Sequence, residues 1–287
     1  MRVGVHTSIA GGLANAAHRA HQIGCDAFQM FSANPRGWRV VEVPVAAFEA
    51  FREARAGFEL APVAVHANYL INLASADSIL RALSEAALRS EFVRAVALGA
   101  DYVVLHPGCA KNAERARACR TVVESLGRAV RGLKLNRLAL LLENTAGQGT
   151  ALGADLDELA EILAGASRVM PAGVCLDTAH LMAAGYPVHT PGGLAETVRR
   201  IDATVGLGNV RLIHANDSKT ALGSHVDRHE HIGRGHIGRD GFRRIVRHPK
   251  LRRVPFICET PIDKPGDDRR NVRMMRSLAQ INLARDR

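Results

Sequence analysis

Residues that can bind a metal ion or transfer a proton stand at the ends of short apolar runs in this sequence. The chain has 13 histidines and 28 acidic residues among its 287, about one position in seven, yet these types end seven of eight such runs. The seven are His6, His66, His106, Glu143, Asp177, His214 and Glu259, and the eighth run ends at Phe31. Imidazole and carboxylate groups gathered at one place would form a metal-binding or acid–base site.

Two local motifs add further candidates. In CLDTAH, His180 follows Asp177 by three positions, so one helical turn would place both on one side. In SHVDRHEH, Asp227 and His229 flank a single residue, so an extended loop would direct both side chains at one ion. Four further histidines are not included among the candidate ligands. His6 is interpreted as a residue that orients a ligand, and His225, His231 and His236 are interpreted as polar loop residues.

The resulting set of candidate ligands is too large for one ion. It consists of His66, His106, Glu143, Asp177, His180, His214, Asp227, His229 and Glu259. Because a catalytic zinc typically takes three protein ligands and leaves a position for water, nine ligands indicate a cluster, especially if one carboxylate bridges two ions. Mixed imidazole and carboxylate ligands without thiolate suit Zn, Mn or Fe(II). Such clusters catalyse the hydrolysis of phosphate esters.

The elements that would position these ligands alternate along the chain. Continuous apolar, β-branched runs are typical of buried parallel strands. They span 3–6, 27–31, 63–66, 102–106, 138–143, 172–177, 210–214 and 254–259. Amphipathic spacing predicts a helix over 77–98, with Asp77 as N-cap, Gly99 as C-terminal stop and an apolar face that includes Ile79 and Leu83. Further helices are predicted over 155–163, 193–205 and 269–284.

Eight strands alternating with helices predict an α/β fold, a (β/α)8 TIM barrel formed by one domain over residues 1–287. The alternative is a doubly wound open sheet. It is disfavoured because no G-x-G-x-x-G follows the first strand, where Gly11 and Gly12 are only a pair. In a barrel the carboxyl ends of the strands form the mouth, so the candidate ligands would converge on one pocket.

Composition narrows the possible partners and compartments. The formal charge of +10 suggests an anionic partner, nucleic acid first, although a solubility device or a lineage bias towards arginine would give the same count. Five scattered cysteines without a C-x-x-C motif indicate a reducing compartment. No segment has the length and hydrophobicity of a membrane helix, and the amino terminus lacks a secretory signal. We therefore expect a cytoplasmic protein without a membrane partner.

The candidate ligands lie in motifs that resemble the signatures of endonuclease IV, a family of zinc-dependent apurinic/apyrimidinic endonucleases with a TIM-barrel fold. The motifs are HANYLINLAS (66–75), LHPG (105–108), LENTAGQG (142–149), CLDTAH (175–180), HANDSK (214–219), DRHEHIGRGHIG (227–238) and ETP (259–261). The resemblance extends from His6 to the last predicted helix. In one position the sequence departs from the family, since Arg234 replaces an acidic residue that is not a metal ligand.

The resemblance implies three zinc ions per chain. The expected ligand groups are His66, His106 and Glu143 for the first ion, Glu143 as a bridge with Asp177, His214 and Glu259 for the second, and His180, Asp227 and His229 for the third. The carboxylate that helps to deprotonate water would be Glu143 or Glu259, and the sequence does not choose between them.

The resemblance also implies the reaction and the substrate. The enzyme would be a monomer that hydrolyses the phosphodiester on the 5′ side of an abasic site in double-stranded DNA, leaving a 3′-hydroxyl and a 5′-deoxyribose phosphate. Removal of groups that block 3′ ends would be a related activity. Loops at the carboxyl ends of the strands would read the DNA, with Arg36, Tyr69 and Leu70 entering the duplex at the abasic site.

Two other classes of protein would fit part of this pattern. Metal-dependent sugar isomerases and epimerases that resemble xylose isomerase share the barrel and a similar mouth, but they need fewer metals and no basic DNA surface. The pair Asp227 and His229, the position of His180 and the net charge speak against them. A nucleic-acid-binding protein without activity would have lost ligands, whereas all nine positions keep the expected residue types.

Overall fold

The computed structural model of the chain describes residues 1–38 and 42–280. Eight parallel strands close into a barrel in the order β1-β10-β7-β6-β5-β4-β3-β2. The barrel strands are β1 (Val3–Thr7), β2 (Phe28–Phe31), β3 (Val63–His66), β4 (Tyr102–Leu105), β5 (Ala139–Glu143), β6 (Ala172–Asp177), β7 (Val210–His214) and β10 (Phe256–Cys258). The predicted TIM barrel is thereby confirmed, and the open sheet is excluded.

Helices return the chain from one barrel strand to the next. They are α1 (Ala14–Ile23), α2 (Val45–Gly57), α3 (Ser78–Leu98), α4 (Arg115–Val130), α5 (Leu156–Ala166), α6 (Thr178–Ala184), α7 (Pro191–Ala203), α8 (Gly238–Arg247) and α9 (Asp267–Ala279). Residues 281–284 of the last predicted helix lie outside the described residues. No helix among the described residues is long and apolar enough to cross a membrane.

Two layers of apolar side chains hold the barrel together. The larger layer lies between the strands and the helices and contains all the fully buried phenylalanines, among them Phe28, Phe92 and Phe256. The smaller layer fills the inside of the barrel with one side chain from most strands, such as Leu141 and Ile257. Because the barrel interior is packed, the polar strand ends have room only at its carboxyl mouth.

Helix α3 forms at the predicted place and buries Leu88 and Phe92 of the predicted apolar face, but not the positions near its start. The Asp77 carboxylate caps it by accepting the backbone N–H of Ile79, and Gly99 ends it in the left-handed conformation. Ile79 is 74% exposed, although the apolar spacing placed it in the core. Glu91 and Arg94, which lie outside the predicted apolar face, are buried.

A hydrogen-bonded network explains why charged residues occupy the buried face of α3. Arg94 forms a salt bridge of 3.1 Å with Glu91, and both residues bond the hydroxyl of Ser32 just after β2. Charged side chains can be buried when they are paired and hydrogen-bonded. The prediction from apolar spacing assigned only apolar side chains to the buried face. The prediction that Ile79 and Leu83 belong to the core is therefore wrong, and Leu83 is 45% exposed.

A short antiparallel ribbon lies outside the barrel sheet. Strand β8 (Asp217–Ser218) follows β7, and it pairs with β9 (His229–Glu230) in the register Ser218 opposite His229. The ribbon brings the DRHEH segment back to the carboxyl end of β7. It therefore supplies the mouth with ligands that no barrel strand carries.

Candidate metal centre at the barrel mouth

Glu143 stands at the centre of the mouth. Its side chain is fully buried at the end of β5. One carboxylate oxygen, Oε1, lies 2.9 Å from Nδ1 of His214 and 3.4 Å from Nδ1 of His180. The other, Oε2, lies 3.1 Å from Nε2 of His106 and 3.3 Å from Nε2 of His66. Four imidazoles from four different segments thus surround one carboxylate.

The structure brings eight of the nine sequence-predicted ligands together in three overlapping groups, and the ninth, Asp227, contacts two histidines of one group. In each group the candidate ligand atoms lie within 4.8 Å of one another. The groups are His66, His106 and Glu143; then Glu143, Asp177, His214 and Glu259; then Asp177, His180 and His229. The first two groups match the expected ones and share Glu143. Glu143 belongs to the first and second groups, and Asp177 belongs to the second and third.

The third group differs in detail from the expected one because Asp177 lies in it. The expected member Asp227 also contacts this group, with its carboxylate oxygens 3.2 Å from Nε2 of His180 and 3.3 Å from Nε2 of His229. The Asp177 carboxylate lies 3.6 Å from the same nitrogen of His229. Both aspartates are therefore within reach of an ion held between the two histidines.

Hydrogen bonds on the far side of three imidazoles leave the near nitrogen free. Nδ1 of His66, His180 and His229 lies 2.8, 2.8 and 3.1 Å from the carbonyl oxygens of Ala67, Asn144 and Glu259, respectively. A carbonyl can only accept, so Nδ1 carries a proton, and Nε2 is the nitrogen that can offer a lone pair at the mouth when a metal ion replaces its proton. Nε2 of His180 and of His229 is buried without a hydrogen-bond partner among the described residues. Two such nitrogens that face carboxylates fit a bound divalent cation.

The charges of the mouth perturb one another strongly. Burial would raise the pKa of the Glu143 carboxyl, but the imidazoles of His214 and His106 outweigh burial and hold that pKa well below its usual range. Burial would lower the pKa of His180, yet Asp177, Asp227 and Glu143 raise it to about 10. The buried carboxylates are therefore stabilised by positive charge nearby, which either protonated imidazoles or metal ions can supply.

Gln29 is a site residue that the sequence did not reveal. It is fully buried inside β2, where its Oε1 accepts a hydrogen bond of 2.9 Å from Nε2 of His214. Its amide nitrogen contacts Oε1 of Glu259 at 2.5 Å and Nδ1 of His6 at 3.0 Å. Gln29 thereby directs Nδ1 of His214 towards Glu143. The one available signal was a lone amide inside the otherwise apolar run AFQMF.

Two asparagines in the motifs hold the backbone around the ligands. The Asn216 side chain donates to Oδ2 of Asp177 at 2.6 Å and accepts the backbone N–H of Glu259 at 2.7 Å. Asn144 accepts the backbone N–H of Asp177 at 2.7 Å. These amides fix two carboxylate ligands relative to each other, which is the usual role of groups just outside a metal's ligands.

Asp217 fixes the loop that follows the β8–β9 ribbon. Its buried carboxylate accepts five backbone N–H groups at 2.9–3.2 Å, which belong to Ser218, Gly233, Gly235, Ile237 and Gly238. Burial raises the pKa of Asp217 although these bonds oppose the rise. A Cβ at Gly235 would stand 2.3 Å from the Ser218 carbonyl oxygen, so only glycine fits there. The glycines of HIGRGHIG thus wrap the loop around one carboxylate.

Replacing Asp217 by asparagine should lower the free energy of unfolding by about 2–3 kcal/mol. The amide group would face N–H donors with its own donors, whichever way the side chain turned. Urea unfolding measures the change. Asp263→Asn is the matched control, since that exposed carboxylate only pairs with His231 at 3.2 Å and should contribute less than about 1 kcal/mol. Equal losses in both variants would show that the Asp217 bonds carry no special weight.

The loops expected to contact DNA lie together beside the mouth. The backbone N–H of Tyr69 donates to the Pro35 carbonyl at 3.1 Å, which joins the loop after β3 to the loop that carries Arg36. The Tyr69 ring is 59% exposed and packs against Phe31 with 5.1 Å between ring centres. Arg36 is exposed and Leu70 is half-buried. The three side chains are therefore placed at one edge of the metal centre.

The remaining histidines lie outside the three ligand groups. His6 contacts Oε1 of Glu259 at 3.4 Å, so it borders the centre as an orienting residue would. His231 forms a separate group with Asp263 and Asp267. The Asn271 amide donates to Nδ1 of His231, so the proton sits on Nε2 and points at Asp263. That arrangement is a hydrogen bond and leaves no lone pair for a metal.

The family of the chain follows from comparisons with known proteins. Residues 17–278 match a family model described as a xylose isomerase-like TIM barrel. A protein named "Probable endonuclease 4" from Solibacter usitatus (strain Ellin6076) is 48% identical over 285 residues, which cover 99% of this chain and 98% of the relative. The chain belongs to the endonuclease IV family. The resemblance drawn from the motifs is confirmed.

Solved structures agree with this membership. The crystal structure of endonuclease IV from Thermus thermophilus superposes with a TM-score of 0.86 at 40% identity, over 97% of this chain and 98% of that one. A D-tagatose 3-epimerase-like protein superposes with a TM-score of 0.72 at 19% identity, over 97% of both chains. The second likeness shows a shared fold alone, and endonuclease IV membership favours the nuclease interpretation over the isomerase alternative.

Proposed function

We propose that this protein is a zinc-dependent endonuclease that hydrolyses the phosphodiester on the 5′ side of an abasic site in duplex DNA. The observation that carries the proposal is the convergence of the expected ligands at the barrel mouth of a chain of this family, eight in overlapping groups and Asp227 in contact with His180 and His229. The net charge of +10 suits a polyanionic substrate. We propose one barrel domain over residues 1–287, with loops at the mouth that contact DNA.

The donor set suits three zinc ions. The first would be held by His66, His106 and Glu143, the second by Glu143, Asp177, His214 and Glu259, and the third by His180, Asp227 and His229, with Asp177 close enough to assist. Bound there, the ions would provide Lewis acidity to water and to the phosphoryl oxygens. The four carboxylates would retain the ions when the negatively charged DNA phosphates compete for them.

The protein side chains would divide the remaining work. Glu143 is fully buried and contacted on both oxygens by imidazoles, so it is suited to bridge ions. Glu259 is 16% exposed at the mouth, so we assign to it the acceptance of the proton from the attacking water. Gln29 would hold Glu259 in place through its 2.5 Å contact. The product ends would be a 3′-hydroxyl and a 5′-deoxyribose phosphate.

A duplex with one tetrahydrofuran abasic analogue tests this function. Zinc-loaded protein should cut on the 5′ side of the analogue and leave a 3′-hydroxyl that a polymerase extends. A second duplex with a blocked 3′ end tests the related trimming activity. Uncut tetrahydrofuran duplex would refute the proposal, and epimerisation of a ketose by the same preparation would favour the isomerase alternative.

Replacing Tyr69 by alanine should weaken binding of the abasic duplex about tenfold, because an exposed ring that stacks at the gap in the helix would be lost. Zinc content should not change, since the ring is no ligand. Fluorescence anisotropy and elemental analysis measure the two quantities. Val93→Ala removes a half-exposed apolar side chain from the outer face of α3 and should leave both unchanged. Loss of zinc in Tyr69→Ala would contradict its placement in the DNA-contacting loop.

A further inference from the structure

A groove lined by arginines lies on the outside of the barrel, between α3 and α4. Its cavity volume is about 530 Å³. The charged side chains along it are Arg81, Glu85, Arg117, Arg120, Glu124 and Arg128. None of them belongs to the metal centre, and the sequence motifs did not include them. The lining contains no aromatic residue.

The charges of this groove are segregated along its length. At the far end, Arg128 forms salt bridges with Glu85 at 2.8 Å and Glu124 at 3.9 Å, so that half has no excess of positive charge. Arg81, Arg117 and Arg120 lie in the first two turns of their helices and have no carboxylate partner among the described residues. The half nearest the helix starts therefore carries an uncompensated positive charge.

The positive half of the groove adjoins the mouth. In a TIM barrel, each helix after a strand starts on the same side as the carboxyl ends of the strands. Arg81 donates to the carbonyl of Ser75 at 2.6 Å, and the Ser125 hydroxyl of α4 donates to the carbonyl of Leu73 at 3.2 Å. Both carbonyls belong to the loop 67–77 that carries Tyr69. The groove therefore begins where the proposed DNA-contacting loop ends.

We propose that the α3–α4 groove binds the phosphate backbone of the duplex flanking the abasic site, an inference that rests on the proposed function. Guanidinium groups match phosphate oxygens in shape and charge, and three unpaired ones in a row suit an anion that repeats along a strand. Without aromatic side chains the groove offers no stacking for bases, so contact with the backbone is expected to be independent of sequence. The groove would anchor the substrate outside the catalytic contacts.

The length of the duplex tests this proposal. The triple variant Arg81→Gln, Arg117→Gln, Arg120→Gln is compared with wild type on tetrahydrofuran duplexes with about 5 or about 15 base pairs on each side, since a base pair spans about 3.4 Å. The wild type should bind the long duplex more tightly. On the long duplex the KM of the variant should be about tenfold higher than that of wild type, with an unchanged kcat. On the short duplex the two proteins should have the same KM and kcat.

The salt dependence and a matched charge control complete the experiment. The slope of log affinity against log salt on the long duplex should become shallower by about 2–3 in the variant, since each phosphate contact contributes about 0.9. The control Arg137→Gln, Arg168→Gln, Arg252→Gln removes three exposed arginines from loops at the opposite end of the barrel. The proposal would be overturned if the control variant lost as much affinity as the groove variant, if the groove variant lost equal affinity for both duplexes, or if it lost none. Absence of cutting by wild type on either duplex would refute the proposed function instead.

Discussion

Replacing Glu143 by glutamine is expected to lower incision of the abasic duplex by between about a hundredfold and a thousandfold, the range for loss of one preorganised transition-state contact. Both oxygens of Glu143 lie within 3.4 Å of imidazole nitrogens that belong to separate ligand groups. An amide keeps the shape of the side chain but offers one acceptor and no charge. The variant should therefore hold fewer ions and lose kcat, which single-turnover kinetics and elemental analysis would measure.

The control for this prediction is Glu91→Gln, the same chemical change at another buried glutamate. Glu91 pairs with Arg94 and Ser32 and belongs to none of the ligand groups, so its replacement should reduce stability without changing the zinc content or kcat of the folded protein. If Glu143→Gln kept full metal content and near-normal kcat, the shared position of Glu143 between two ligand groups would have no catalytic meaning.

Replacing Gln29 by leucine is expected to weaken zinc binding by between about tenfold and a hundredfold, the range for loss of a group that orients a ligand. Leucine fits the buried position but leaves Nε2 of His214 without its acceptor at 2.9 Å. It also removes the amide that holds Glu259. The imidazole would then be free to turn or to change its protonated nitrogen. Competition with a chromophoric chelator measures the affinity.

Ser32→Ala serves as the matched control for Gln29. Ser32 is also buried and polar, follows the same strand β2, and among the described residues its side chain bonds only Glu91 and Arg94. Its loss should reduce stability and leave zinc affinity intact. If both variants lost stability but had the same zinc affinity, Gln29 would contribute to packing and would not orient a ligand.

The sequence predicted the barrel and the ligands because both depend on short stretches of neighbouring residues. Each buried strand is a continuous apolar run, and the polar residue that ends it points into the mouth whatever the rest of the chain does. His66, Glu143 and Asp177 could therefore be assigned before their contacts were known. Asp227 and His229, which no barrel strand carries, were found through their spacing and the family motif.

Other features depend on contacts that no local pattern specifies. The apolar spacing of α3 could not reveal that Glu91 is buried, because its partner Ser32 lies 59 residues away. Gln29 is separated by 185 residues from His214 and by 230 from Glu259. The glycines of HIGRGHIG were visible, but the carboxylate of Asp217 around which they turn is specified only by the fold.

We propose that one cluster of nine ligands holds three zinc ions, with which the protein cuts DNA. The most direct test is a titration of metal-free protein with zinc, in which incision of the tetrahydrofuran duplex is measured at each step. We predict that activity rises with added zinc and reaches its plateau at three equivalents per chain. A plateau at one equivalent, or full incision by metal-free protein in the presence of a chelator, would contradict the account.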